Sequence, residues 1–325
     1  MTVLRAVPLG CGHYLPQRVV ENSEFETWLD TSDSWIRERS GIERRCFAAE
    51  DELTSDLAIR AAKAALADAD VPATQIDAII LATATPDETF PSTATKVQVA
   101  LDMPDGFAFD IHAVCAGFIY ALSTANAMIL SGQARTVMVI GAETFSRILD
   151  WQDRSTCVLF GDGAGALVLR AEEGQGDGSD RGVLATDLNS DGRYHDLLYV
   201  DGGPSSTGKA GCVRMVGREV FRHAVEKLAR SGETALAKAG LTTADLSWLV
   251  PHQANLRIIR KTAERMGLDM SRVIVTVHDH GNTSAASIPM ALSVAARQNR
   301  IRPGDLLLME AIGGGLTWGA AVMRW

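Results

Sequence analysis

The chain has 325 residues, 46% hydrophobic and 22% charged, enough apolar material for one large or two ordinary globular cores. Its net charge of -9 argues against non-specific nucleic-acid binding, which needs a strongly basic surface. No apolar run reaches the roughly 18 residues of a membrane span, and the start MTVLRAVPLG lacks the charged head and cleavage site of a signal peptide, so a cytoplasmic location is expected.

In chain order, that opening stretch reads as an apolar strand. Residues 55–68 are Ala-rich and amphipathic and predict a helix. Residues 76–82 predict a buried strand, 107–111 a short strand, and 116–131 an apolar helix ending near Gly132. Residues 136–141 form another buried strand, and 158–160 and 166–170 read as strands around a glycine turn at 161–165. The polar, glycine-rich stretch 172–182 is the best candidate linker. Arg214, Arg218 and Arg222 recur every four residues and predict one basic helix face, either plain solvated surface or a site for an acidic partner. Helices alternating with buried strands predict an α/β fold.

The pattern then repeats. Residues 66–80 align without a gap to 236–250, and the same offset lays 137–140 over 307–310. Within a residue or so it also lays the helix beginning near Cys115 over the one beginning near Ser284. A period this long is not a solenoid repeat; it predicts two similar halves related by a pseudo-twofold. Cys115 starts one helix, Asn282 just precedes its counterpart, and His252 follows the strand at 248–250. Such symmetry can bring these element ends together at the junction, where sites in α/β folds gather.

Each of the three residues has two readings. The five cysteines (Cys11, Cys46, Cys115, Cys157, Cys212) are far apart and form no C-x-x-C pair, so neither a zinc knuckle nor a disulfide framework is indicated. Most free cysteines are small buried hydrophobes. Cys115, however, follows a sharp turn into an apolar helix, where unpaired N–H groups and the helix dipole favour thiolate. His252 lies in a polar cluster, His-Gln-Ala-Asn, after an apolar strand, and is either a structural or a functional histidine. Asn282, in Gly-Asn-Thr-Ser before a helix, fits plain capping equally well. His278-x-His280 has no third metal ligand at suitable spacing. Gly313-Gly-Gly315 sits between two strands, as a tight hairpin or as exposed N–H groups for an oxyanion.

Taken together the motifs resemble the β-ketoacyl-acyl carrier protein synthase III family of the thiolase superfamily, almost end to end. The blocks are Asp30-Thr-Ser-Asp-Ser-Trp-Ile, Ser40-Gly-Ile-Glu, Phe90-Pro-Ser, Val114-Cys-Ala-Gly-Phe and Phe160-Gly-Asp-Gly-Ala-Gly-Ala. Val250-Pro-His-Gln-Ala-Asn-Leu-Arg, His280-Gly-Asn-Thr-Ser-Ala-Ala-Ser and Gly313-Gly-Gly-Leu-Thr-Trp-Gly follow in order and are the most specific.

The resemblance implies a thiolase-like α/β fold with two pseudo-symmetric halves in α/β/α/β/α layers. Residues 1–175 would carry the nucleophile, and 176–325 the His and Asn. It implies an acyltransferase that condenses a short acyl-CoA primer with malonyl-acyl carrier protein, with loss of carbon dioxide, to initiate fatty-acid biosynthesis. Cys115, His252 and Asn282 become the catalytic set, with Cys115 and Gly314 N–H groups as the oxyanion hole. Thr31, Trp35, Arg39, Arg154, Gly217, Phe221, Ala254 and Asn255 become contacts for CoA and its pantetheine arm. Phe145, Phe160 and Ile312, with Phe90 from a partner subunit of a homodimer, become the acyl pocket. Ile312 stands where the best-known enteric pattern has Phe, and Phe145 where it has Leu, which leaves the primer open among short acyl groups. Arg257, extended by Arg214, Arg218 and Arg222, becomes the docking face for the acidic carrier protein. No cofactor or metal is implied, CoA thioester being a substrate. The alternative within the same resemblance is an ester-forming acyltransferase or a secondary-metabolite condensing enzyme using the same Cys–His–Asn set.

Overall fold

The computed structural model describes residues 2–325. Its first half runs β1 (Val3–Tyr14), β2 (Arg18–Glu21), α1 (Asn22–Phe25), α2 (Asp33–Ser40), β3 (Arg44–Phe47) and α3 (Thr54–Ala69), then β4 (Ala78–Ala82), α4 (Thr93–Ala100), β5 (Phe107–Ile111), α5 (Gly117–Leu130), β6 (Thr136–Glu143) and β7 (Gly163–Gly174). The second runs β8 (Gly182–Ser190), β9 (Leu198–Val200), β10 (Val213–Met215), α6 (Gly217–Lys238), β11 (Trp248–Pro251) and α7 (Leu256–Arg265), then α8 (Val277–His280), α9 (Ser287–Arg297), β12 (Leu306–Gly313) and β13 (Thr317–Arg324).

Two main sheets have the same strand order. One is β1-β7-β6-β4-β5, the other β8-β13-β12-β11. β4 pairs in parallel with β6 at Ala78 and Val137, and β11 with β12 at Trp248 and Leu307, so both partners repeat at an offset of 170 residues. The counterpart of β5 is reduced to one bridge, Leu249 with Val273. Helix α3 covers the outer face of the first sheet, α5 and α9 lie between the sheets, and α6 with α7 covers the second. These are the five expected layers.

The strand sequences look uniformly apolar, yet alternate residues face different cores, as the two-residue period of a strand requires. Ile80, Val139, Leu167, Leu307 and Met309 join the middle layer with α5 and α9. Ile79, Leu81, Met138 and Ile140 face α3. All nine are fully buried, each contributing about 1.5–3 kcal/mol.

Three local expectations are corrected. Residues 161–165 are not a turn between strands: 158–159 are turn, and Gly163 and Gly165 lie inside β7. The glycines serve close packing instead. A Cβ on Gly165 would come within 2.5 Å of Met290 N, and one on Gly141 within 2.2 Å of Ala285 O, so α9 and the turn before it lie directly on the sheet. The stretch 172–182 is no loose linker, since both ends are strand. Asp180 ties the turn by accepting from Gln175 N at 2.7 Å, Gly176 N at 2.8 Å and Arg5 Nε at 2.9 Å. Arg214 shares no helix with Arg218 and Arg222. It lies on β10, where Asp150 and Asp201 pair with it at 2.7 and 2.6 Å.

Candidate active site

Cys115 sits in a 3-10 turn, residues 114–116, that runs into α5. A matching turn, residues 284–286, runs into α9. The two turns pack against each other and against the ends of β6 and β12. Cys115, His252 and Asn282 are all buried there.

Asn282 is held on both sides. Its N–H donates to Leu159 O at 2.8 Å, and its carbonyl accepts from Gly161 N at 2.9 Å. Its side-chain Oδ1 accepts from Ser284 N at 2.9 Å, which leaves the Nδ2 amide to donate. The local bond expected of Asn282 is therefore made by Oδ1 alone, and Nδ2 remains available to donate.

His252 follows β11, whose Pro251 ends the strand, and its N–H donates to Glu310 O at 2.8 Å. Its Nδ1 lies 2.7 Å from Ser287 Oγ, which also accepts from Gln253 N at 3.3 Å. With the Ser287 hydroxyl donating to Nδ1, the proton of neutral imidazole rests on Nε2. Burial alone pushes His252 down to about 3, so the ring is neutral throughout the physiological range.

Burial also raises the Cys115 thiol to about 12; a contact with Ser284 opposes the rise and the Glu143 carboxylate adds to it. The expected thiolate is thus a thiol at rest, because desolvation outweighs the helix end. The glycine that ends β12 lets that strand approach the Cys115 turn: a Cβ on Gly313 would meet Cys115 N at 2.7 Å. Thr317 Oγ1 donates to Ala113 O and Gly314 O, at 3.2 and 3.1 Å, coupling the Cys115 turn to the Gly314 turn.

An apolar cluster and a cleft lie near this centre. Ile312 packs with Phe221, Ala254, Ile258, Leu316 and Trp318, the apolar cluster that holds the expected pantetheine contacts. Gly217 opens α6, while Asn255 Oδ1 caps α7 by accepting from Ile258 N at 2.9 Å. Ile312 packs in this cluster, while the Phe145 and Phe160 rings stack on each other at 4.4 Å. A cleft of about 1050 Å³ is lined by Phe145, Val114 and Gly314 together with Phe90, which is 82% exposed.

Arg39 and Arg154 lie over the Trp35 ring at 4.3 and 5.1 Å. Arg154 also donates to Asp30, and Thr31 Oγ1 is buried without a partner. Arg257 stacks on Phe221 at 5.5 Å, next to Arg218 and Arg222 at the start of α6; Arg222 is paired with Glu219. Sequence reasoning missed Glu143, Ser284, Ser287, Thr317 and Glu310. A carboxylate ending an otherwise apolar strand was the available signal for Glu143 and Glu310.

Residues 236–325 match the family model described as 3-oxoacyl-[acyl-carrier-protein (ACP)] synthase III C terminal, and residues 109–192 match 3-oxoacyl-[acyl-carrier-protein (ACP)] synthase III. A Ruegeria pomeroyi protein named beta-ketoacyl-[acyl-carrier-protein] synthase III is 70% identical over 321 residues, 99% of each chain. The crystal structure of the Aquifex aeolicus 3-oxoacyl-[acyl-carrier-protein] synthase III superimposes with a TM-score of 0.91 at 46% identity over 100% of both chains. The Pseudomonas aeruginosa enzyme of the same name gives 0.92 at 42% identity, covering 99% of this chain and 98% of that one. Matched from end to end in sequence and in fold, the chain belongs to the 3-oxoacyl-[acyl-carrier-protein] synthase III family of thiolase-like condensing enzymes.

Proposed function

We propose that Cys115, His252 and Asn282 carry out this family's reaction, the decarboxylative condensation that initiates fatty-acid biosynthesis. Cys115 attacks a short acyl-CoA, CoA leaves, and an acyl-enzyme remains. Malonyl-acyl carrier protein then enters. His252 Nε2–H and Asn282 Nδ2–H donate to its thioester oxygen, where negative charge gathers as carbon dioxide departs. The resulting carbanion attacks the acyl group on Cys115, and the N–H groups of Cys115 and Gly314 hold the tetrahedral oxyanion. The product is a 3-oxoacyl-acyl carrier protein. CoA enters as substrate, and the chemistry uses no resident cofactor.

One observation carries this reading: Ser284 N occupies Asn282 Oδ1 and Ser287 Oγ sits on His252 Nδ1, an arrangement that leaves Asn282 Nδ2 and, with the Ser287 hydroxyl donating, His252 Nε2 as neutral donors. Loss of carbon dioxide generates a carbanion without a strong base, so neutral donors suffice.

Trp35, Arg39, Arg154 and Thr31 would hold the CoA nucleotide by stacking and charge. Gly217, Phe221, Ala254 and Asn255 would line the pantetheine path. Arg218, Arg222 and Arg257 would meet the acidic carrier protein; Arg214, neutralised by two aspartates, would contribute little. A homodimer is supported by the exposed Phe90 beside an open cleft, since a second copy would cover both. The two sheets support a division at 175/176, although α5 and α9 serve both halves. Among the described residues no helix is long and apolar enough to cross a membrane.

Incubation with labelled acetyl-CoA tests the reading. Label on Cys115 that moves to a 3-oxoacyl carrier product only when malonyl-acyl carrier protein is added supports it. Label that passes to water or an alcohol would instead indicate a hydrolase or an ester-forming relative.

A further inference from the structure

Phe160 and Asn282 lie outside the strands of the two main sheets and are joined to each other by a single parallel bridge. Asn282 N donates to Leu159 O at 2.8 Å, and Asn282 O accepts from Gly161 N at 2.9 Å. Both bonds thus flank Phe160, whose ring stacks on Phe145 at 4.4 Å. In a close-packed interior, backbone tied on both sides in this way shifts as one piece.

β3 and the residues beside it clamp both segments. Glu43 N donates to His278 O at 2.8 Å, Cys46 O accepts from Asp162 N at 2.8 Å, and Ala48 N donates to Asp162 Oδ2 at 2.8 Å. Between these contacts lies Arg45, whose side chain is fully buried. Its Nη2 donates to Val158 O at 2.6 Å and its Nη1 to Val20 O at 3.2 Å, and the guanidinium lies over the Phe25 ring at 4.8 Å. Among the described residues no carboxylate is hydrogen-bonded to it. The stem fills space left by two glycines: a Cβ on Gly161 would lie 3.0 Å from Arg45 Cβ, and one on Gly281 3.1 Å. Gly161 directly follows Phe160, and Gly281 directly precedes Asn282.

A buried guanidinium without a counter-charge is expensive to hold, a cost that an apolar strut of similar length avoids. What the guanidinium adds is a planar fork of directed donors, one of them on the carbonyl two positions before Phe160. We propose that Arg45 is a positioning residue: by holding Val158 O it fixes the Phe160–Asn282 bridge, and so sets the primer wall and the malonyl donor as one unit. The inference rests on the proposed roles of Asn282 as a donor to the malonyl thioester and of Phe160 as a wall of the acyl pocket. Loosening this one contact then alters two quantities together, the rate of carbon dioxide release and the discrimination between primers. Acetyl transfer to Cys115 precedes the step that uses Asn282 and involves the smallest primer, so it is indifferent to the contact.

The test compares wild type, Arg45→Met and Arg45→Lys in three measurements: acylation of Cys115 by acetyl-CoA, acylation by butyryl-CoA, and release of labelled carbon dioxide from malonyl-acyl carrier protein. Methionine keeps an apolar stem against Gly161 and Gly281 and removes the donors. Arg45→Met should leave acetyl transfer within about twofold, slow carbon dioxide release at least about tenfold, and raise the butyryl-to-acetyl acylation ratio at least about threefold. Arg45→Lys, which keeps the charge but not the fork, should show both changes at smaller size, and it decides by the same split where Arg45→Met does not fold. A merely structural role would scale all three measurements together through loss of active protein. In a folded variant, proportional loss of all three, or a change in only one of the two linked quantities, overturns the proposal. An Asn282→Ala enzyme with wild-type carbon dioxide release, or a Phe160→Leu enzyme with the wild-type primer ratio, overturns the prior assignment of that residue instead.

Discussion

Val114 and Ser284 stand 170 residues apart and share one unusual backbone state, with φ of 47° and 48°. Each opens a one-turn 3-10 segment that leads into a central helix, α5 or α9. A β-branched valine in this region is strained, at a cost of order 1–3 kcal/mol. The duplication has kept the conformation on both sides of the junction. On one side it sets Cys115 at the head of α5; on the other it sets the turn after Asn282 at the head of α9, and the two turns pack on each other.

Ser287 should matter to one half-reaction only. Replacing Ser287 with alanine removes the hydroxyl at 2.7 Å that fixes the His252 tautomer. A neutral hydrogen bond is worth about 0.5–1.5 kcal/mol, so carbon dioxide release from malonyl-acyl carrier protein should slow about fivefold. Acylation by acetyl-CoA should keep its rate. Stopped-time assays of the two steps separate them.

In the proposed reaction the Phe145–Phe160 stack would set the depth of the primer site. Both rings are buried, and they meet at 4.4 Å. Phe145→Leu should raise kcat/KM for butyryl-CoA relative to acetyl-CoA by at least about tenfold, since each methylene is worth about 1–3 kcal/mol in such a pocket. Parallel kinetics with the two primers check this.

The arginines divide by partner. Trp35→Ala or Arg39→Glu should raise KM for acetyl-CoA several-fold and leave kcat and acetyl-pantetheine turnover unchanged, because the proposed role of the stacked ring and guanidinium is to hold the CoA nucleotide. Arg218→Glu with Arg257→Glu should instead raise KM for malonyl-acyl carrier protein, with a smaller effect at high salt. Arg214→Glu should leave that KM nearly unchanged and lower the melting temperature, as it sets a carboxylate against Asp150 and Asp201.

Stability should peak near about pH 6. His252, His13 and His280 are buried and lowered to about 3, 4 and 4. The unfolded chain binds more protons at these sites below its own histidine value, so stability is lost as pH falls from about 6.5. Glu143 and Glu310 are raised by burial to about 7 and 8. There the folded state holds the extra protons, so stability falls as pH climbs from the unfolded carboxyl range through those values. Glu310 has no partner on either oxygen. Glu310→Gln should therefore flatten the alkaline limb and raise the melting temperature more at pH 8 than at pH 5, which thermal melts across pH would reveal.

The duplication was legible because helix–turn–strand units repeat in register, and residues 66–80 over 236–250 carried that register into the folded sheets. The glycines at 161–165 misled because glycine signals a turn locally, whereas Gly165 is small for a distant reason, the backbone of α9. Arg214 misled likewise: a four-residue spacing looks helical until β9 pairs with β10 and ends the pattern. Cys115, His252 and Asn282 stand out as a proposed set only through motif resemblance, since each residue alone has a plain structural reading. Ser287 does not stand out, since a lone serine in an apolar helix start carries no periodic signal. Its value lies in one neighbour brought from far along the chain.

The central claim is that two neutral donors act on the malonyl thioester and not on the nucleophile. Rapid-quench measurement of His252→Ala tests it most directly, following acetyl transfer to Cys115 and release of labelled carbon dioxide in the same samples. The account predicts acylation close to the wild-type rate and carbon dioxide release slowed at least about 100-fold. Equal loss of both steps would contradict it and make His252 the base that activates Cys115.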